Sequence, residues 1–110
     1  MSYSTTAELT LLTGSSASAV ALQAIIDDAD REIDAVLEPH GLSGSSSDVA
    51  IKSASLRLST ALLLQRTRMP GDNADQAIAA ERARARELLS SYVRAHASSR
   101  TSVRVYQVNP

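Results

Sequence analysis

The segment Ile25-Ile26-Asp27-Asp28-Ala29-Asp30-Arg31-Glu32-Ile33-Asp34-Ala35-Val36-Leu37 constrains the fold of this chain more than any other. Ile25, Ile26, Ala29, Ile33, Val36 and Leu37 recur at helical spacing, so one stripe faces a core while acids crowd the opposite face. Such a face is built for assembly rather than catalysis. An amphipathic helix of this kind needs other helices against its apolar stripe, and the flanking sequence supplies them.

Thr5-Thr6-Ala7-Glu8 has the spacing of a capping box, and Gly14 suits a left-handed stop, which predicts a short helix from about Thr6 to Thr13. Ser15 to Ser18 offers caps for a long acidic helix from about Ala17 to Glu38, stopped by Pro39 and Gly41. Pro39 to Ser47, with two glycines and four serines, reads as a flexible loop that buries nothing and stays mobile until bound. Asp48, after Ser47, opens a third helix to about Met69. Val49, Ala54, Leu58, Ala61, Leu62 and Gln65 lie near one of its faces, and Ile51 and Leu56 widen it, which marks the helix as central. Met69-Pro70-Gly71-Asp72-Asn73 is a turn. The fourth helix, from about Ala74 to Ala97, places Ala77, Ile78, Ala85, Leu88, Leu89, Tyr92, Val93 and His96 inward.

Beyond Arg100 the pattern changes to a period of two with β-branched residues, through Val103, Arg104, Val105, Tyr106 and Val108. A lone strand after a set of helices has no sheet of its own to join, so its partner must come from another chain. The expected fold is therefore all-α. A bundle of about four helices, one short and three long, occupies residues 1–99, and an extended C-terminal docking arm, able to form β-structure, occupies residues 100–110.

With 110 residues and neither Phe, Trp nor Cys, the chain can build one modest core from Ala, Leu, Val and Ile and has no disulfide, thiolate or thiol nucleophile. Its N-terminus lacks a basic stretch followed by an apolar one, and no run of about 18 apolar residues is present, so the expectation is a soluble protein made in a cytoplasm, without membrane contact. Charge divides sharply. Up to Asp48 there are eight acids against Arg31 alone, whereas the remainder carries ten bases against four acids. Complementary halves of this kind are satisfied within one fold, between neighbouring subunits, or by nucleic acid on the basic side.

Sites for chemistry are sparse. Asp27, Asp30 and Asp34 share a helix face, but a calcium site needs more oxygen ligands on a bent loop, so a solvated or subunit-facing surface is the better reading and no metal is expected. His40 and His96 have no ligand or catalytic partner at a recognisable spacing, and His96 near a helix C-terminus is explained by the helix dipole. Neither a Gly-x-Ser-x-Gly elbow nor a phosphate-binding glycine loop is present. Arg82 and Arg86 align on one face of the fourth helix, where they suit contact with acidic neighbours.

The opening Met-Ser-Tyr-Ser-Thr-Thr-Ala-Glu-Leu-Thr-Leu-Leu-Thr-Gly, the helix from Ile25 to Leu37, and the apolar helix from Ile51 to Arg66 after a variable loop resemble the small head-to-tail connector proteins of long-tailed double-stranded DNA bacteriophages and related prokaryotic viruses. These are also termed adaptor or head-completion proteins. The resemblance covers most of the chain and lies in helix order and residue type. It implies a virion protein at the head-to-tail interface, assembled in the host cytoplasm as a ring of about a dozen copies beneath the portal. The ring would line a channel for non-specific passage of duplex DNA and bind the portal protein and the next connector or tail protein, with no cofactor and no enzymatic activity. Asp27, Asp30, Asp34, Arg82 and Arg86 are then the expected subunit or partner interface, and Arg100, Val103, Arg104, Val105, Tyr106 and Val108 the portal-docking arm. The competing expectation is a small helical nucleic-acid-binding regulatory protein acting through the arginines of its fourth helix, with steeply salt-dependent duplex binding.

Overall fold

A computed structural model describes residues 2–45, 47–67 and 74–108, with side chains described through residue 96. Four α-helices, Thr6–Thr13 (α1), Ala19–Leu37 (α2), Val49–Thr67 (α3) and Ala74–Val108 (α4), are joined by short connections, with a 3-10 turn at Glu38–His40 after α2. Among the described residues there is no strand.

Local chemistry explains where the helices begin and end. The Thr5 hydroxyl accepts from the Glu8 backbone N–H at 3.1 Å and the Glu8 carboxylate accepts from that of Thr5 at 3.0 Å, completing the capping box of α1. Gly14 closes α1 with φ of 68°, a left-handed conformation that costs glycine little. Ser18 caps α2 by accepting from Ala21 N–H, so the helix starts at Ala19. Asp48 Oδ1 takes the N–H groups of Ala50 and Ile51, at 2.9 and 3.3 Å, to start α3.

Two groups of buried side chains hold the helices together. The larger joins Ala29, Ile33 and Leu37 of α2 to Ile51, Ala54 and Leu58 of α3 and to Ala85, Leu89 and Tyr92 of α4. The smaller joins Leu9 of α1 to Leu22, Ile25 and Ile26 of α2 and Leu63 of α3. Helix α3 therefore serves both. Its buried set, Ile51, Ala54, Ser55, Leu58, Ser59, Ala61 and Leu63, is wider than a single stripe, as a helix flanked by neighbours on several sides requires. Small residues on that set let the helices approach closely, and Ser59 Oγ is left buried with no hydrogen-bond partner.

Several sequence expectations change. Val49 and Gln65, placed on the inner face of α3, are exposed, as are Ala77 and His96 on α4. Val36 is 42 % exposed, because it sits at the edge of the α2 stripe. The stretch after Pro39 does bury contacts. Leu42 packs on the larger core, Tyr92 donates its hydroxyl proton to the Ser43 carbonyl at 3.0 Å, and Gly44 lies against Tyr3 and Ile51. The extended arm is replaced by helix, since α4 continues without a break through Val108. A helix already nucleated over the Ala-Arg segment extends for one hydrogen bond per residue, which outweighs the weak strand preference of Val103, Val105 and Val108 when no sheet is offered. The side chains of Arg100, Val103, Arg104, Val105, Tyr106 and Val108 lie outside the described ones. So do Asn109 and Pro110 altogether.

Candidate interaction surfaces

The acids of α2 meet three different fates. Asp30 lies within the apolar stripe, four residues after Ile26 and three before Ile33, and is only 8 % exposed. Its Oδ2 accepts the Tyr3 backbone N–H at 2.9 Å and its Oδ1 accepts the Ser55 hydroxyl at 2.7 Å. Ser55 in turn contacts the Ser4 hydroxyl at 2.7 Å, with Ser4 donating because the Ser55 proton is committed to Asp30. Burial pushes the Asp30 carboxyl above the usual range, partly offset by these two hydrogen bonds. Asp34 accepts the Tyr3 hydroxyl. Burial, that hydrogen bond and the two nearby carboxylates push the Tyr3 phenol up to about 12.

These two acids therefore anchor the N-terminal segment, Asp30 from a buried position and Asp34 from an exposed one. Asp27 is exposed as well and, among the described residues, accepts only from the neutral Gln23 amide, at 2.9 Å. The position of Asp30 inside the Ile26–Ile33–Leu37 row was a readable signal of burial. That its partners would be Tyr3 and Ser55 was not.

The basic half meets the acidic half inside one molecule through Lys52 with Glu8 at 3.0 Å and Arg66 with Asp28 at 3.4 Å, while Arg57 pairs with Glu81 of its own half at 3.2 Å. Arg82 reaches Glu32 at 3.1 Å and the Gln65 amide oxygen at 3.2 Å. The Lys52 ammonium is the main reason the Glu8 carboxyl sits below its ordinary range. Such exposed pairs each contribute about 0 to 1 kcal/mol, so they set register more than stability. Of the residues expected to form an interface, Asp30, Asp34 and Arg82 are thus engaged by their own chain, and Asp27 and Arg86 have no oppositely charged partner among the described residues. His96 stacks on Tyr92 with ring centroids 4.0 Å apart and bonds its carbonyl. It stands well inside α4, so the helix-terminus explanation does not apply to it.

Among the described residues, three open grooves stand out on the surface. Two meet at Leu12 and Arg57, on the side where α1 crosses α3. The third lies between the end of α2 and the middle of α4, lined by Val36, Leu89 and Val93 with Arg86, Arg94 and His40 around them. Large aliphatic side chains are also exposed on the outside, Leu11 at 88 % and Val20 at 82 %. Among the described residues no group of three His, Cys, Asp or Glu side chains is arranged to hold a metal ion, and no helix is long and apolar enough to cross a membrane.

Compared with protein-family models, curated proteins and solved structures, the chain has no match in any of the three.

Proposed function

We propose that this chain is a structural head-to-tail connector of a long-tailed DNA virus, assembling as a ring under the portal at the head-to-tail interface and acting without catalysis. The observation that carries the reading is the outward placement of aliphatic side chains, Leu11 and Val20 above all, on a small helical bundle. Water-exposed aliphatic surface is costly and is recovered when subunits meet. The helix order on which the resemblance rests, a short capped helix, an acidic amphipathic helix and, after a variable loop, a central apolar helix, supports the same reading.

Repeated around a ring, contacts that are weak singly give firm attachment. The nucleic-acid alternative draws less support, because Arg57, Arg66 and Arg82 are already paired with acids of their own chain. Co-expression with the products of neighbouring genes, followed by negative-stain imaging, tests the proposal. A ring seated on the portal protein is the expected result. A protein indifferent to the portal that binds duplex DNA with a steep salt dependence would overturn it.

A further inference from the structure

We infer that copies of this chain join through α2 and α4, the exposed Val20–Ala24–Asp27 stripe of one copy lying antiparallel in the groove formed by Val36, Leu89 and Val93 of the next. The inference deepens the connector proposal and rests on its ring.

Charge complementarity selects the occupant. The groove has an aliphatic floor and a rim of Arg86, Arg94 and His40, with no acid among the residues lining it. It suits a helix presenting aliphatic side chains beside a carboxylate. The outer face of α2 presents that combination. Val20, Ala24 and Asp27 are all exposed, they succeed one another at intervals of four and three residues, and Asp27 has no cationic partner among the described residues. A phosphodiester backbone would satisfy the arginines but leave the valines and leucine unused.

Spacing fits as well as charge. Val20 and Asp27 are separated by two helical turns, about 10.5 Å, and so are Arg86 and Val93. Laid antiparallel, Asp27 faces Arg86 while Val20 faces Val93, and the small Ala24 comes opposite Leu89, where a larger side chain would hold the helices apart. The stripe and the groove also point in different directions. Asp27 and Val36 are nine residues apart on α2, about two and a half turns, so one lies on the far side of the helix from the other. A contact between two such unlike surfaces is heterologous, and it propagates from copy to copy, the type of contact from which a closed ring is built.

The chain contains no cysteine, which makes cross-linking clean. Full-length V20C and V93C variants, checked for helicity by circular dichroism, are treated with a short bismaleimide at high concentration. The expected result is a heterodimer when the two are mixed, no product from either alone, and a ladder beyond dimer from the V20C/V93C double variant. Charge reversal supplies the second arm. On the wild-type background, D27R and R86D should each reduce self-association by tenfold or more in sedimentation velocity, and mixing the two should restore it, because every contact between unlike copies then pairs an acid with an arginine.

Absence of the mixed cross-link, or self-association indifferent to both reversals, overturns the contact. Absence of the mixed cross-link together with loss of duplex-DNA retention in R86D would also overturn it and assign the groove to nucleic acid. Portal-bound rings that survive both reversals would sink this interface while leaving the connector proposal standing. Cross-linked chains that never engage a portal would do the reverse.

Discussion

The two cores of this bundle are both largely aliphatic and differ in how many elements depend on them. Around Ile33, three helices, the connection after Pro39 and the N-terminal residues converge, and the polar chain from Ser4 through Ser55 to Asp30 runs along its edge. Around Ile26, only α1, the first half of α2 and the end of α3 meet, and α4 is not part of the group. What differs is cross-connection, and cross-connection decides whether a local loss spreads through the molecule or stays where it is made.

Truncation of the buried aliphatics is the most severe challenge to that contrast. Ile33→Ala should destabilise the whole bundle by about 2 to 5 kcal/mol, seen as a lower denaturant midpoint and faster amide exchange in α2, α3 and α4 together. Leu9→Ala removes a side chain just as completely buried, yet its effect should concentrate in α1, whose exchange protection is lost while that of α4 persists. Equal loss of protection in all four helices for both variants would erase the distinction between the cores.

The polar edge of the larger core gives the next effect in size. Ser55→Ala leaves the buried Asp30 carboxylate with the Tyr3 N–H alone among its two partners and should cost about 1 to 3 kcal/mol near neutral pH. The pH dependence has a definite sign. Asp30 has a folded-state pKa above its unfolded value, so its protonated form is the better tolerated in the fold. The stability it contributes is present below the unfolded pKa and is lost as pH rises through the folded one. Glu8 behaves oppositely, its contribution being present above the unfolded pKa and lost as pH falls through its lowered folded value. Denaturation of Asp30→Asn across the acid-to-neutral range should lack the first component and keep the second. A wild-type-like profile would show that Asp30 does not titrate with folding.

Two smaller substitutions sharpen the contrast. Gly44→Ala would bring a Cβ to 3.0 Å from the Tyr3 ring and 3.1 Å from Ile51 Cγ2, and it should cost about 1 kcal/mol by displacing the N-terminal segment. Ser59→Ala removes the one described buried hydroxyl that lacks a partner and should raise stability by about 1 kcal/mol, measured by urea denaturation. A loss of stability in Ser59→Ala would mean that the hydroxyl has a partner, such as an internal water.

Periodicity, caps and stops were enough to locate the helices, because the Thr5–Glu8 box, Ser18, Gly14 and Asp48 each act within one turn of themselves. Their ends were legible to within a residue or two wherever a side chain caps them. The course of α4 beyond Ala97 was misread because alternating valines measure strand preference only when a sheet is available to realise it. The connection after Pro39 was misread for a related reason. Serine and glycine carry little burial of their own, and what fixes them is Tyr92 and Tyr3, 49 and 41 residues away from their respective contacts at Ser43 and Gly44. The candidate interface was legible as charge but not as geometry. Composition revealed an acidic half and a basic half, whereas only the fold separates Asp30, Asp34 and Arg82, which are used internally, from Asp27 and Arg86.

The hydrogen bond from the Tyr3 hydroxyl to Asp34 makes the chain unusually easy to watch. There is no tryptophan, and tyrosine occurs at three positions only, so ultraviolet absorption and emission come almost wholly from Tyr3, Tyr92 and Tyr106. A phenol tied to a carboxylate and shifted to about 12 ionises later than a free one, a step that an alkaline absorbance titration records. Release of the N-terminal segment moves that step back toward 10. The attachment of the first residues to α2 can therefore be followed by light alone, with no label added.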